Sequence, residues 1–272
     1  LAKFLALIAV VSWRIFFVTM SARAKPDAAP DSVLSCAEIA ALDRLDASRA
    51  RPCRQRRTLA AYLLQERHAV RSLFTPYLDL LPRALSSYRH FPLLFDASEL
   101  ELLRGSLILD LVRERWESLA REYEHLCQGV PALRAFDFEE FVWARLTVAS
   151  RVFGITIAGC KTQALVPGAD LLNHQVPTET CWDYEDAADS FVVTALQGFA
   201  AGQGVCDSYG SKCNSRYFLN YGFVLADNQE NLARLTFSAG RDEKSFLVTV
   251  SPDAPQTEQM LTFLRGRHGR CR

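Results

Sequence analysis

Residues 164–228 constrain the fold of this chain most, because two polar clusters there interrupt otherwise apolar sequence. The first cluster, at residues 170–174, reads Asp-Leu-Leu-Asn-His, and the second, at residues 208–214, reads Ser-Tyr-Gly-Ser-Lys-Cys-Asn. Between them, residues 189–196 are rich in β-branched and aromatic side chains and predict a strand. Each cluster therefore follows an apolar segment, close to Gly or Pro, which is where side chains that meet a ligand usually lie.

Helical patterns dominate the sequence before these clusters. Apolar residues on helical spacing predict a helix over residues 58–68 and a long helix that starts at Ser98 and ends at Gly129. Another helix is predicted to begin at Asp137, because Glu140 three residues later completes a capping box. A shorter helix is predicted closer to the start of the chain, at residues 36–45.

Strand patterns return after the second cluster. Residues 232–237 and 245–250 are predicted to form strands joined by a turn, and residues 260–265 a short helix. The chain therefore contains both helices and strands, without an internal repeat.

The charge balance bears on the class of partner. Lys plus Arg and Asp plus Glu both total 31, so no net field draws the protein onto nucleic acid or a membrane surface. Arginines crowd residues 49–57, but no aromatic side chains alternate with them as a base-stacking surface requires. We therefore expect neither nucleic acid nor a membrane as the partner.

The cysteines bear on metal binding and on the redox compartment. The chain has eight of them, scattered and without a Cys-x-x-Cys pair, so neither a zinc site nor a dense disulfide framework is predicted. We expect no bound metal and an intracellular, reducing environment, and no pattern in the sequence assigns a particular compartment.

The first residues form an apolar segment with several interpretations. Residues 1–20 are strongly apolar, but Lys3 and Arg14 interrupt them, which disfavours a membrane span. A cleaved targeting peptide, a truncated or misjoined gene start and an anchor all stay open. Residues 25–35 carry prolines and aspartates among small residues and predict a linker.

Three short motifs follow one another along the chain: Asn173-His174, Tyr209-Gly210 with Asn214, and Gly222-Phe223. In order and approximate spacing they resemble the SET domain, in the subgroup typified by Rubisco large-subunit lysine methyltransferase and actin-histidine methyltransferase. Residues 141–151 are also similar to the last insert helix of that family. The resemblance implies an α+β SET-domain fold, with small twisted β-sheets, a pseudoknot and an α-helical insert at about residues 58–150.

The resemblance also implies a domain organisation. Residues 1–35 would be an apolar N-terminal segment and linker, and residues 36–228 the SET domain with its insert. Residues 229–272 would begin a truncated C-terminal substrate-binding domain. The family's Gly-x-Gly strand-turn, which cradles the methionine end of the cofactor, is not found before Asp31. We therefore expect a chain truncated at both ends.

The function implied by the resemblance is transfer of a methyl group from S-adenosyl-L-methionine to a lysine of a protein substrate. Tyr209 is the implied catalytic residue, with its hydroxyl beside the transferred methyl. The implied cofactor-binding residues are Arg151, Asp170, Leu171, Leu172, Asn173, His174, Tyr221, Gly222 and Phe223. Such chemistry relies on alignment of a neutral amine and on placed dipoles more than on acid-base groups.

Two alternatives remain open at this point. The missing Gly-x-Gly motif favours a catalytically inactive SET-like binding protein or a fragment. The resemblance to this subgroup also leaves open a protein-histidine methyltransferase, because the pocket side chains that would decide between lysine and histidine are not identified by any motif.

Overall fold

The computed structural model describes residues 51–239, 242–249 and 255–268. The predicted N-terminal apolar segment, the linker and the helix at residues 36–45 lie outside these ranges. The contacts group the chain into two compact units. One takes in the described residues up to Ser87 together with Ser118–Tyr209, and the other comprises Tyr88–Glu117 and the described residues from Gly210 onward. The domain boundaries predicted at residues 35 and 228 stay predictions.

Helices make up much of the first half of the described chain. The α-helices are α1 (Arg51–His68), α2 (Thr75–Leu78), α3 (Ala97–Glu101), α4 (Leu107–Gly129), α5 (Phe138–Arg151), α6 (Asn214–Tyr221) and α7 (Pro255–His268). Short 3₁₀ turns lie at Leu85–Tyr88, Pro92–Leu94, Pro131–Ala135 and Ala169–Leu171.

The strands pair into small sheets of two strands each. The antiparallel pairs are β1 (Val152–Ile157) with β2 (Cys160–Leu165), β4 (Thr180–Glu185) with β5 (Ser190–Ala195), and β7 (Leu232–Ala239) with β8 (Asp242–Thr249). The remaining pair, β3 (Asn173–His174) with β6 (Cys206–Asp207), is parallel. This combination of helices and small sheets confirms the predicted α+β class.

The predicted capping box at the start of α5 is formed. The Asp137 side chain accepts a hydrogen bond from the Glu140 amide at 2.8 Å, and the Glu140 carboxylate accepts one from the Asp137 amide at 3.1 Å. The predicted helix at residues 58–68 is also present, as the second part of α1.

The single long helix predicted from Ser98 is wrong. The chain forms α3, ends it at Glu101 and starts α4 only at Leu107. Between them Gly105 has a φ of 80°, a value that a right-handed helix cannot contain. Apolar periodicity continues across this break, so the pattern alone does not reveal it.

The core of the first unit lies where α1 packs against α5 and β2. Ala60, Leu64, Val142 and Ala144 are all fully buried, and the small alanines let the two helices approach closely. The Trp143 indole Nε1–H, on α5, donates to the Pro82 carbonyl at 2.6 Å. This packing fixes the end of α5, from which the candidate site begins.

A second apolar cluster underlies the sheets of the same unit. Its buried members are Ile155, Ala164, Val166, Ala169, Tyr184 and Phe191. Phe153 and Trp182 pack edge-on at 5.2 Å between ring centres and extend it. Since Val166 and Ala169 belong to this cluster, the segment leading to Asn173 is held on a packed base.

The second unit contains the β7–β8 hairpin and α7. Phe246 of β8 contacts Phe263 of α7 at 5.3 Å between ring centres, so the helix packs on one face of the hairpin. Both strands predicted here are confirmed, and the predicted helix at residues 260–265 lies inside the longer α7. None of the helices in the ranges that the structure describes is long and apolar enough to cross a membrane.

A buried ion pair joins α4 and α5 within the first unit. The Arg145 Nε lies 3.1 Å from the Glu122 Oε1, with 14% and 5% of these side chains exposed. Replacing Arg145 by Met leaves the Glu122 carboxylate buried without its cation. We expect the free energy of unfolding to fall by about 3 kcal/mol, measured by urea denaturation.

The double variant Glu122→Leu with Arg145→Met is the matched control. It replaces the pair by apolar side chains and is expected to recover most of the lost stability. Equal losses in the single and double variants would show that the buried charge is not the cause.

Candidate functional site

The first polar cluster begins with a buried carboxylate. The Asp170 side chain is fully buried and lies 3.2 Å from the Arg151 Nη1, at the end of α5. The Tyr77 hydroxyl donates to the same Asp170 oxygen at 2.7 Å, and the Arg151 Nη1 also donates to the Asp170 carbonyl at 3.1 Å. Arg151 therefore braces the start of this cluster, with 19% of its side chain exposed.

Burial raises the pKa of the Asp170 carboxyl above its usual range. The Arg151 guanidinium and the Tyr77 hydroxyl lower it and offset part of that effect. Asp170 is thus a buried acid held by Arg151 and Tyr77. Contact with a cofactor stays a prediction for Arg151 and Asp170.

The parallel β3–β6 pair brings the two polar clusters together. Its register sets Asn173 opposite Cys206 and His174 opposite Asp207. The Tyr209 backbone N–H then donates to the His174 Nδ1 at 3.0 Å, across 35 positions of sequence. The two rings lie 5.2 Å apart at an angle of 31°. The structure therefore places the predicted catalytic tyrosine against the predicted Asn-His pair.

These contacts define the chemical state of both rings. Because the His174 Nδ1 accepts a hydrogen bond, the imidazole is neutral and carries its proton on Nε2. The Tyr209 hydroxyl donates to the Leu172 carbonyl at 2.7 Å, so its proton is committed to the backbone. The hydroxyl oxygen consequently acts as an acceptor towards any further group.

The outer surface of this cluster offers both polar and apolar atoms. Asn173 is exposed, and its side chain makes no hydrogen bond to any residue that the structure describes. The Leu171 side chain, two positions earlier in the chain, is 45% exposed. The cluster therefore presents one amide and one apolar side chain to solvent, the mixture of polar and apolar groups that small-molecule sites usually have.

The other residues predicted to bind the cofactor, Tyr221, Gly222 and Phe223, belong to the second unit. Gly222 ends α6 in the left-handed conformation, with a φ of 77°, and its N–H donates to the Phe218 carbonyl at 3.1 Å. A Cβ at Gly222 would lie 2.3 Å from the His90 Cδ2. The close approach that requires glycine here is therefore made by the protein's own His90.

Phe223 and Tyr221 lie in an aromatic group of the second unit. Phe223 stacks on Tyr217 with 5.2 Å between ring centres and an angle of 25°, and Tyr221 lies 6.0 Å from Phe223. The buried Tyr217 donates its hydroxyl proton to the Gly210 carbonyl at 2.7 Å. Contact of Tyr221, Gly222 and Phe223 with a cofactor stays a prediction.

Asn214, the last residue of the second cluster, forms hydrogen bonds that hold the neighbouring backbone in place. Its side-chain amide both donates to and accepts from the backbone of Leu225, at 2.8 and 3.1 Å. Asn228 donates to the Asn214 Oδ1 at 2.8 Å, and the Asn231 Oδ1 accepts from the Asn214 backbone N–H at 2.8 Å. These amides fix the start of α6, which has no side-chain cap from Cys213.

Several of these residues were not identified from the sequence. Tyr77 lies in a Thr-Pro-Tyr-Leu segment without any sign of a polar partner far along the chain, and Asn228 and Asn231 lie in a turn-like sequence. Asp207, which lies opposite His174 in the β3–β6 pair, was also missed. Each depends on a contact between distant segments, which periodicity does not report.

Within residues 51–239, 242–249 and 255–268, no group of three or more His, Cys, Asp or Glu side chains is arranged to hold a metal ion.

Burial, and to a smaller extent the charge of Glu179, raises the pKa of the Cys206 thiol beside the site. The Cys206 side chain is therefore held as the neutral thiol.

The raised pKa of Asp170 predicts a pH dependence of stability. Because the native state binds this proton more tightly than the unfolded state, the contribution is greatest below the usual aspartate pKa of about 3.9. It is lost as the pH rises through the native pKa. Relative to Asp170→Asn, we expect the free energy of unfolding of the parent chain to decline from about pH 4 towards neutrality.

Urea denaturation over this pH range measures the effect, with the exposed Asp183→Asn as a matched control that should give no such slope. A pH-independent difference between the parent chain and Asp170→Asn would contradict the prediction. Arg151→Met should steepen the decline, since it removes the cation that offsets part of the burial.

Gly222→Ala is expected to destabilise the second unit for two separable reasons. The left-handed backbone costs an alanine about 1–2 kcal/mol, and the new Cβ meets His90. In a His90→Ala background only the backbone cost and a contact with Phe91 remain, so urea denaturation should show a smaller loss. An unchanged loss would mean that His90 is not the limiting neighbour.

Comparison with known proteins places this geometry in context. No family model matches the chain. Among curated proteins, the actin-histidine N-methyltransferase of Gallus gallus is 26% identical over 237 aligned residues, covering 76% of this chain and 39% of that protein. The Mus musculus protein of the same name is 25% identical over 236 residues, with the same coverage. The chain thus spans about two fifths of the length of the curated relatives it matches.

Comparison with solved structures identifies the fold. The SET domain of LSMT bound to methyl-lysine and AdoHcy has a TM-score of 0.61 at 21% identity, covering 74% of this chain and 51% of that one. Rubisco LSMT bound to AdoMet has a TM-score of 0.60 at 21% identity, covering 80% of this chain and 55% of that one. The chain therefore has the α+β SET-domain fold and resembles the subgroup of SET-domain methyltransferases that includes Rubisco LSMT and actin-histidine N-methyltransferase.

Proposed function

We propose that this chain is part of a protein methyltransferase that uses S-adenosyl-L-methionine and modifies a lysine side chain. The observation that carries the proposal is the contact between the two polar clusters, in which the Tyr209 N–H donates to His174 beside the exposed Asn173. The similarity to SET domains solved with AdoMet or AdoHcy supports the same reading.

The residues at the first cluster fit such a cofactor in part. The exposed Asn173 amide offers a donor and an acceptor, and the exposed Leu171 offers an apolar surface. The backbone from Leu172 to His174 would hold the cofactor with them. The Arg151 Nη1 is already engaged by Asp170, and contact of the guanidinium with the cofactor stays a prediction. When bound, S-adenosylmethionine supplies an electrophilic methyl group on a sulfonium sulfur.

Tyr209 has the chemistry to orient an attacking amine. Its hydroxyl proton is donated to the Leu172 carbonyl, so its oxygen presents lone pairs to an incoming N–H. An N–H donated to Tyr209 would turn the nitrogen lone pair away from that bond and restrict the amine to few orientations. Alignment of this kind is a large source of rate enhancement in group transfer.

A second candidate is methylation of histidine. The curated relatives at 25–26% identity are actin-histidine N-methyltransferases, whereas the solved neighbours include a SET domain bound to lysine. A neutral imidazole also offers a nitrogen lone pair, but its attacking nitrogen carries no hydrogen, so an N–H donated to Tyr209 would come from the other ring nitrogen. The choice of lysine rests on the solved neighbours and is tested directly below.

Calorimetric titration of the full chain with S-adenosylmethionine tests the cofactor site. We expect Asn173→Ala to weaken binding by about tenfold, as the loss of one hydrogen bond predicts, and Tyr209→Phe to bind as the parent does. The exposed Gln229→Ala is a matched amide control that should not change affinity. Absence of binding by the parent chain would favour the inactive, partner-binding alternative.

Transfer of labelled methyl groups to proteins tests the reaction. Rubisco large subunit and actin serve as probes for lysine and histidine acceptors, and mass spectrometry locates the modified residue. We expect lysine modification, reduced about 100-fold or more by Tyr209→Phe, since one positioned polar group contributes about that much. Modification of histidine alone would overturn the lysine assignment and leave the methyltransferase assignment standing.

A further inference from the structure

Two buried carboxylates lie beneath the candidate site. Glu179 is 8% exposed and Asp207 is 4% exposed. Neither forms an ion pair in the part of the chain that the structure describes. Burial of a charge without a cation is costly unless hydrogen bonds replace the lost water. The hydrogen bonds that these two carboxylates accept therefore indicate which segments they hold together.

Glu179 collects donors from separate segments of the first unit. Its Oε1 accepts from the Gln175 Nε2 at 3.2 Å and from the Gln197 Nε2 at 3.0 Å, and its Oε2 accepts from the Cys206 backbone N–H at 3.0 Å. Gln175 follows β3, Gln197 lies just after β5, and Cys206 is the first residue of β6. One carboxylate therefore joins the ends of the strands that form the site.

Asp207 ties β6 to β4. One of its carboxylate oxygens accepts from the Thr180 hydroxyl at 3.1 Å, and the other accepts from the Trp182 Nε1 at 3.1 Å. Its backbone carbonyl accepts from the Gln175 N–H at 2.9 Å, directly after His174. Asp207 therefore holds β6 on one side to β4 and on the other to β3.

The β3–β6 pair needs this support, because each strand is only two residues long. A strand pair of that length has little stability of its own. A shift of one residue would also turn every following side chain to the opposite face. The Tyr209 N–H reaches the His174 Nδ1 only in the observed register.

We propose that Asp207, with Glu179, is a positioning residue that sets the register of Tyr209 against Asn173 and His174. This inference rests on the proposed methyl transfer for its catalytic consequence, but its structural content is independent of that function. A carboxylate suits the task because it accepts hydrogen bonds in several directions and brings no donor that needs a partner of its own.

The test compares Asp207→Val with Asp207→Asn in the full chain. Valine favours a strand but accepts no hydrogen bond, whereas asparagine keeps an acceptor for Trp182 and offers its amide to the Thr180 oxygen. The exposed Asp183→Val on β4 is the matched control for the same substitution outside the pair. Glu179→Met is the second variant, in case Asp207→Val does not fold.

The first readout is nitrogen-15 NMR of the His174 imidazole and the Tyr209 amide, which does not depend on activity. We expect Asp207→Val and Glu179→Met to shift both signals, and Asp207→Asn and Asp183→Val to leave them close to those of the parent. Unchanged signals in folded Asp207→Val, or in Glu179→Met where Asp207→Val does not fold, would overturn the proposal.

The second readout is turnover with the methyl acceptor identified for the parent chain. Misplacement of a catalytic group lowers kcat by roughly 10- to 100-fold, so we expect that loss in Asp207→Val with little change in KM and with recovery in Asp207→Asn. A folded Asp207→Val with parental kcat would overturn the catalytic part. If the parent chain transfers no methyl group, the proposed function fails, and the NMR comparison still decides the positioning role.

Discussion

The parallel pairing of Asn173-His174 with Cys206-Asp207 is the interaction on which the candidate site depends. It joins two polar clusters that are 35 positions apart where the His174 ring meets the Tyr209 backbone. Each strand is too short to hold the other unaided, so hydrogen bonds that the Glu179 and Asp207 side chains accept from neighbouring segments support the pairing. The geometry of Tyr209 thus derives from polar groups that themselves lie away from the surface.

Buried charged side chains hold the backbone in position at several places in the chain. Asp170 is held by Arg151 and Tyr77, and Glu122 by Arg145. Removing one member of such a pair leaves an uncompensated charge, which is far more costly than replacing both members. Buried pairs of this kind add little net stability relative to well-packed apolar side chains of similar volume.

Much of the local structure could be predicted from the sequence. The capping box at Asp137 and Glu140 places the start of α5 correctly, because a capping box depends on residues three positions apart. The α+β class and the SET-domain fold were also predictable, the second through motifs and not through periodicity. The site residues were suggested by those same motifs, and their assignment to a cofactor remains a prediction.

Other features depend on contacts that no local pattern reports. Trp116 continues the apolar stripe of α4 with Val112 and Leu119, yet it is 40% exposed whereas both of those are buried. The break at Gly105 interrupts an apolar pattern that itself continues. The three-asparagine contact at the start of α6 joins residues that only tertiary structure brings together.

The length of chain between β3 and β6 also has a consequence for synthesis. Helices α1 and α5 are built from hydrogen bonds between residues four positions apart, so their backbone pairing needs no distant segment of the chain. The β3 strand has no partner until Cys206 and Asp207 have emerged as well. During translation, every residue of the apolar cluster under the β-sheets is therefore synthesised before the partner strand of β3. The candidate site is the last part of the first unit that can be completed.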